Sequence, residues 1–161
     1  MDSGDEIFVL LDGDKRLVSS FTDPQAVPPA SHPNLGELLK AEIGCDPSLL
    51  IPSNPSNADH AATKAAAQLS YLGWLRRHVG FLPKNYPEQI VLAALDPENP
   101  DLAGSTEVVK KAYLDFLRDG SDVSLNADEI LGLSKVKIAK IPLSNPDLTM
   151  IQDQLRVWLR N

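Results

Sequence analysis

Residues 56–82, SNADHAATKAAAQLSYLGWLRRHVGFL, decide how the rest of the chain is read. They hold no proline, carry alanine and leucine at high density, and place apolar side chains at helical spacing, so they predict one long helix. At 100° per residue, Ala62, Ala65, Ala66, Leu69, Gly73 and the stem of Arg76 share one arc, while Tyr71, Trp74, Leu75 and His78 share another. A helix with one wet face needs only one apolar stripe. Two stripes predict a central core helix, or a helix that offers one side to a partner. Ser56 with Asp59 three residues later resembles a capping box at its start, and Gly80 and Pro83 close it.

Outward from this helix, the flanks read as shorter elements. Upstream, Glu6–Asp12 is apolar and rich in strand formers, Arg16–Phe21 repeats the pattern, and Asp12-Gly13-Asp14 lies between them. Asp-Gly between strand-like runs predicts a β-hairpin. Pro24, Pro28 and Pro29 make a connecting loop, and Asn34–Ile43 predicts a short helix stopped by Gly44.

Downstream, Pro87 at a first helical position opens a helix to Leu95, and Ser105 caps one running to Arg118 before Gly120. Asn126 and Glu129 form a capping box for a helix over Ala127–Leu131. Lys135–Ile141 has two readings. Val136 and Ile138 alternate as in a strand, whereas Ile138 and Ile141 are spaced as in a helix. The strand reading is carried forward, as a third strand on the hairpin. Asn145, Pro146 and the stripe Leu148, Ile151, Leu155, Trp158 and Leu159 predict a C-terminal helix. The expected fold is α+β and mostly helical: a hairpin packed with five or six helices around helix 56–82, as one globular domain over 1–161.

Composition narrows the function. A 161-residue chain with 43% hydrophobic residues can bury a core, and a net charge of −7 opposes general attraction to nucleic acid or anionic membrane. The single cysteine, Cys45, has no internal disulfide partner, which fits a reducing compartment. Acidic residues Asp2, Asp5 and Glu6 precede only a short apolar run, the wrong pattern for a signal peptide or membrane span. The expected compartment is the cytoplasm.

Local chemistry motifs are sparse. His32, His60 and His78 stand at no metal-ligand spacing, Asp46 beside Cys45 opposes thiolate formation, and the glycines form no phosphate-cradling loop. No cofactor and no metal are expected. An apolar strand followed by Asp12-x-Asp14 resembles the first motif of the haloacid dehalogenase phosphatases. That resemblance spans about ten residues and implies Asp12 as nucleophile, Asp14 as proton handler and a nearby Mg²⁺. The pattern departs at Lys15 and Arg16, where the family has Thr or Val, so a Mg²⁺-dependent phosphatase is a remote alternative. Residues 124–143, divided at Gly132 and carrying Lys135, Lys137 and Lys140, resemble a degenerate helix-turn-helix; the alternative they imply is a nucleic-acid-binding regulator.

The main expectation is a small acidic protein-binding module of adaptor, immunity or assembly-subunit type. Two aromatic and arginine-bearing segments carry it: Tyr71, Trp74, Arg77, His78 and Phe81, and Arg156, Trp158 and Arg160. Aromatic rings supply area, and arginine supplies directed hydrogen bonds.

Overall fold

A computed structural model describes residues 7–44 and 59–160. The described residues are mostly helical, with six α-helices and a two-stranded sheet among them. In chain order these are β1 (Val9–Leu11), α1 (Leu35–Ile43), α2 (Asp59–His78), β2 (Val79–Phe81), α3 (Pro87–Leu95), α4 (Thr106–Arg118), α5 (Ala127–Ile138) and α6 (Pro146–Arg160). The expected α+β, mostly helical class is the observed one. The described residues fall into two compact units, one of residues 7–10, 16–44, 59–80 and Arg160, the other of Leu11–Lys15 and Phe81–Leu159.

The strands are parallel, so the expected hairpin is corrected. Leu82 donates its N–H to the Leu11 carbonyl at 2.8 Å, and Gly13 donates to the Lys84 carbonyl at 3.1 Å, so both segments advance in the same direction. Residues 12–15 turn as a single 3-10 turn, with Lys15 N–H donating to the Asp12 carbonyl, and residues 16–21 form no strand. The physical reason lies at Gly13. Its φ is not positive, as a tight hairpin turn of Asp-Gly would require. Instead, a Cβ there would stand 2.3 Å from the Lys84 carbonyl oxygen, so glycine serves the close approach of two backbones.

In the first unit, α1 packs along α2. Gly44, in the left-handed region at φ 71°, ends α1 and donates its N–H to the Lys40 carbonyl at 2.9 Å. Along α2 the two expected stripes are the edges of one broad arc. Ala65, Gln68, Leu72, Leu75 and His78 are buried along its middle, Tyr71 and Trp74 are half-buried on one edge, and Ala62, Ala66 and Arg76 are exposed. The helix ends at His78 instead of Leu82, because Val79–Phe81 leaves it to pair with β1. The Ser56 cap expected for α2 lies outside the described residues.

Glu42 is a buried carboxylate that holds the preceding loop. Its two oxygens accept the Thr22 N–H at 3.1 and 3.2 Å, and it also accepts the Thr22 hydroxyl at 2.5 Å, so its burial is offset by charge-assisted hydrogen bonds. Asp23 accepts from Arg76 and from the Gln25 N–H at 3.0 Å. The guanidinium first, then that N–H, hold its carboxyl below the ordinary aspartate value.

The second unit has the larger apolar core: Val91, Leu92, Val109, Ala112, Tyr113, Leu117 and Ile141, with Leu148 and Ile130 packed against it. Its helices α3, α4 and α5 pack mutually, with α4 against both others, so α2 is not the organiser of this group. The caps follow the sequence. Asn126 accepts from the Glu129 N–H at 3.0 Å while Glu129 accepts from the Asn126 N–H at 2.8 Å, and Asn145 accepts the Asp147 and Leu148 N–H groups. Gln89, buried, accepts from the Tyr86 N–H and donates to the Leu102 carbonyl at 2.8 Å, fixing the start of α3 to the loop before α4.

The strand expected over 135–141 is absent: residues 135–138 are the end of α5, and residues 139–141 turn out of it. The Asn126–Glu129 box nucleates α5, and the helical phase of Ile130, Leu133 and Ser134 carries it through Gly132 to Ile138. A Cβ at Gly132 would meet nothing within 4 Å, so this glycine marks no turn. A helix-turn-helix divided there is therefore absent.

Candidate functional site

Helices α3, α4, α5 and α6 leave between them a groove of about 560 Å³. Its walls follow from helical rows: Pro87, Ile90 and Val91 on α3, Lys110, Tyr113 and Leu114 on α4, Ile130, Ser134 and Ile138 on α5, and Leu148 and Ile151 on α6, with Leu82 and Ile141 closing the floor. The size and apolar character match those of binding pockets generally. Polar groups are few. Tyr113 donates its hydroxyl to Ser134 Oγ at 2.8 Å, which satisfies a buried phenol and leaves the serine hydrogen available to the groove. Glu88 and Lys110 supply one charge of each sign.

The apolar surface runs beyond the groove. Neither α5 nor α6 has a fully buried residue, although both have well-formed caps. On α6, the row Leu148, Leu155 and Leu159 becomes steadily more exposed toward the C-terminus, reaching 73% at Leu159. On α5, Leu131 and Ile138 are about half exposed on the same side. Burying such a row is normally what stabilises a surface helix.

The residues expected from the sequence divide between the units. Tyr71, Trp74 and His78 form a stack along α2, with ring centroids 6.2 Å apart for Tyr71–Trp74 and 5.2 Å for Trp74–His78. His78 is buried and its Nδ1 lies 2.8 Å from the Ile7 carbonyl, so it serves as a hydrogen-bonded core residue as well as part of the stack. Arg77 is exposed. Phe81 is half-buried; Gln154 accepts from its N–H at 3.0 Å and donates to its carbonyl at 2.9 Å. That amide clamp occupies the edge of β2 with a side chain from α6. On α6, Arg156 pairs with Asp153, Trp158 is half-buried and Arg160 is exposed.

The lysines of the alternative reading stand on or just after α5. Lys137 Nζ lies 4.3 Å from the centroid of the Phe116 ring, a cation–π contact, while Lys135 and Lys140 are exposed. Asp12 follows β1, and Asp14 pairs with Lys15 at 3.1 Å. Among the described residues no group of three or more His, Cys, Asp or Glu side chains is placed to hold a metal ion, and no helix is long and apolar enough to cross a membrane.

The sequence reading named none of the groove's walls as a site. The signal available was the amphipathic α6 stripe together with Leu131 and Ile138, seven residues apart on one side of α5. Compared with protein-family profiles, curated proteins and solved structures, the chain matches none.

Proposed function

We propose that this protein is a small protein-binding module of adaptor type, acting by surface complementarity, and that its docking surface is the apolar groove of α3–α6. The observation that carries this reading is the groove itself, continued by exposed Leu131, Leu155 and Leu159. An apolar concavity extended by aliphatic ridges supports binding through desolvation, the main driving force of protein association. The Tyr71, Trp74, Arg77 and His78 face is second to it, since the stack is half-buried or buried and only Arg77 is fully open. The lone cysteine and acidic balance favour a cytoplasmic setting.

The test is capture of partners from native cells after nuclease treatment, with wild-type, Ile138→Glu and Arg77→Ala proteins compared. A protein partner held by wild type and Arg77→Ala but lost with Ile138→Glu is the expected result. A partner indifferent to Ile138→Glu contradicts the groove, and its loss with Arg77→Ala would move the docking surface to α2.

A further inference from the structure

We infer that the groove's occupant is an amphipathic α-helix whose apolar row is flanked by carboxylates; this rests on the groove being the docking surface. Two features select a helix over a compact apolar molecule. The first is length. The row from Leu148, half-buried in the groove wall, to exposed Leu155 and Leu159 covers eleven residues of rise, about 16 Å at 1.5 Å per residue, or three turns of a partner helix laid alongside. A small amphiphile filling the concavity would leave Leu155 and Leu159 uncovered. The second is the packing mode. A groove between helices, walled by rows spaced three and four residues apart, accepts the i, i+3, i+4, i+7 knobs of another helix.

The carboxylates follow from charge. Lys110 stands in the α4 wall, and Lys135 lies three residues before Ile138 on α5, on the rim beside it. Neither has an ion-pair partner among the described residues, whereas Lys84, Arg118 and Arg156 each pair with an aspartate. A partner with acidic residues beside its apolar row completes both, two cations against the single carboxylate, Glu88, of the α3 wall. This preference runs against the protein's net charge of −7, whose long-range field favours a basic peptide. At physiological salt that field is screened within about 8 Å, so the rim decides.

The experiment uses two stapled helical peptides of about fifteen residues with the same leucine row, one flanked by glutamates and one by lysines. Binding is read by calorimetry against the full chain and against Lys110→Glu/Lys135→Glu, whose fold is checked by circular dichroism. The expected result is about tenfold tighter binding of the glutamate peptide by wild type, inverted in the double variant. Equal binding, or a lysine preference in wild type, overturns the acidic partner. If neither helix binds while decanoate does, in a manner abolished by Ile138→Glu, the helix is overturned and the groove stands as a small-amphiphile site. If nothing binds, the docking reading falls with it.

Discussion

Two glycines, both in positions that the sequence reads as turn or break, should respond to alanine with opposite signs. At Gly13 an added Cβ would meet the Lys84 carbonyl oxygen at 2.3 Å and the Leu82 carbonyl oxygen at 2.8 Å. Ordinary carbon–oxygen contacts are about 3.3 Å or more, so the two backbones must part by roughly 1 Å at their closest point. That stretches the 3.1 Å Gly13–Lys84 hydrogen bond out of range and weakens the 2.8 Å Leu82–Leu11 bond. Losing these, with one donor left unsatisfied, costs about 2–3 kcal/mol. At Gly132 the Cβ enters open space inside α5, and alanine gains about 0.8–1.0 kcal/mol of helix propensity. For a chain of this size each kcal/mol moves the thermal midpoint by about 2–4 °C. Gly13→Ala should therefore lower the midpoint by roughly 4–12 °C and Gly132→Ala raise it by roughly 2–4 °C. Melting followed by circular dichroism reads both. A Gly13→Ala protein indistinguishable from wild type would refute the close backbone approach, and a destabilised Gly132→Ala would refute the continuous α5 helix.

Other substitutions probe the first unit. Glu42→Ala should cost about 1–3 kcal/mol, because it strands the Thr22 N–H and hydroxyl; a denaturant midpoint unchanged from wild type would show that the loop is held otherwise. Asp23 has a depressed folded pKa, so its contribution to stability is present above the ordinary value of 3.8 and is lost as pH falls through the lower folded value. Asp23→Asn should remove that contribution, so the variant is slightly less stable than wild type at neutral pH, equal to it below the folded value, and flatter across that window. Trp74→Ala removes the middle ring of the Tyr71–Trp74–His78 stack and should lower the thermal midpoint, whereas Arg77→Ala, at an exposed position, should not; equal effects would contradict the placement of these side chains.

Helices with explicit end signals were legible in the sequence. Gly44 ends α1, Pro87 opens α3, Ser105 precedes α4, and Asn145-Pro146 opens α6, each where the residue types place it. The sheet was not legible. Asp12-Gly13 carries the local signature of a hairpin, but β1 pairs with β2 across almost seventy residues, and nothing local encodes that pairing. Val136 and Ile138 fit both periods; the capping box twelve residues earlier decides for helix, a cooperative effect that reading the segment alone misses. Leu72 and Gln68 join the two stripes of α2 into one buried arc, which shows only once α1 and the 3-10 turns Pro24–Ala26 and Pro29–Asn34 cover it. The groove is assembled from four helices that each contribute two to four residues, so no stretch of sequence contains it.

Five of the chain's eight isoleucines, Ile90, Ile130, Ile138, Ile141 and Ile151, line the groove, which makes the isoleucine δ1-methyl spectrum a direct probe of it. The decisive measurement is that spectrum of the full chain titrated with the glutamate-flanked helical peptide. Saturable shifts at Ile138 and Ile151 with no change at Ile7 or Ile43 are predicted. Shifts confined to Ile7 and Ile43, or none at any isoleucine at saturating peptide, would contradict the groove as the docking surface.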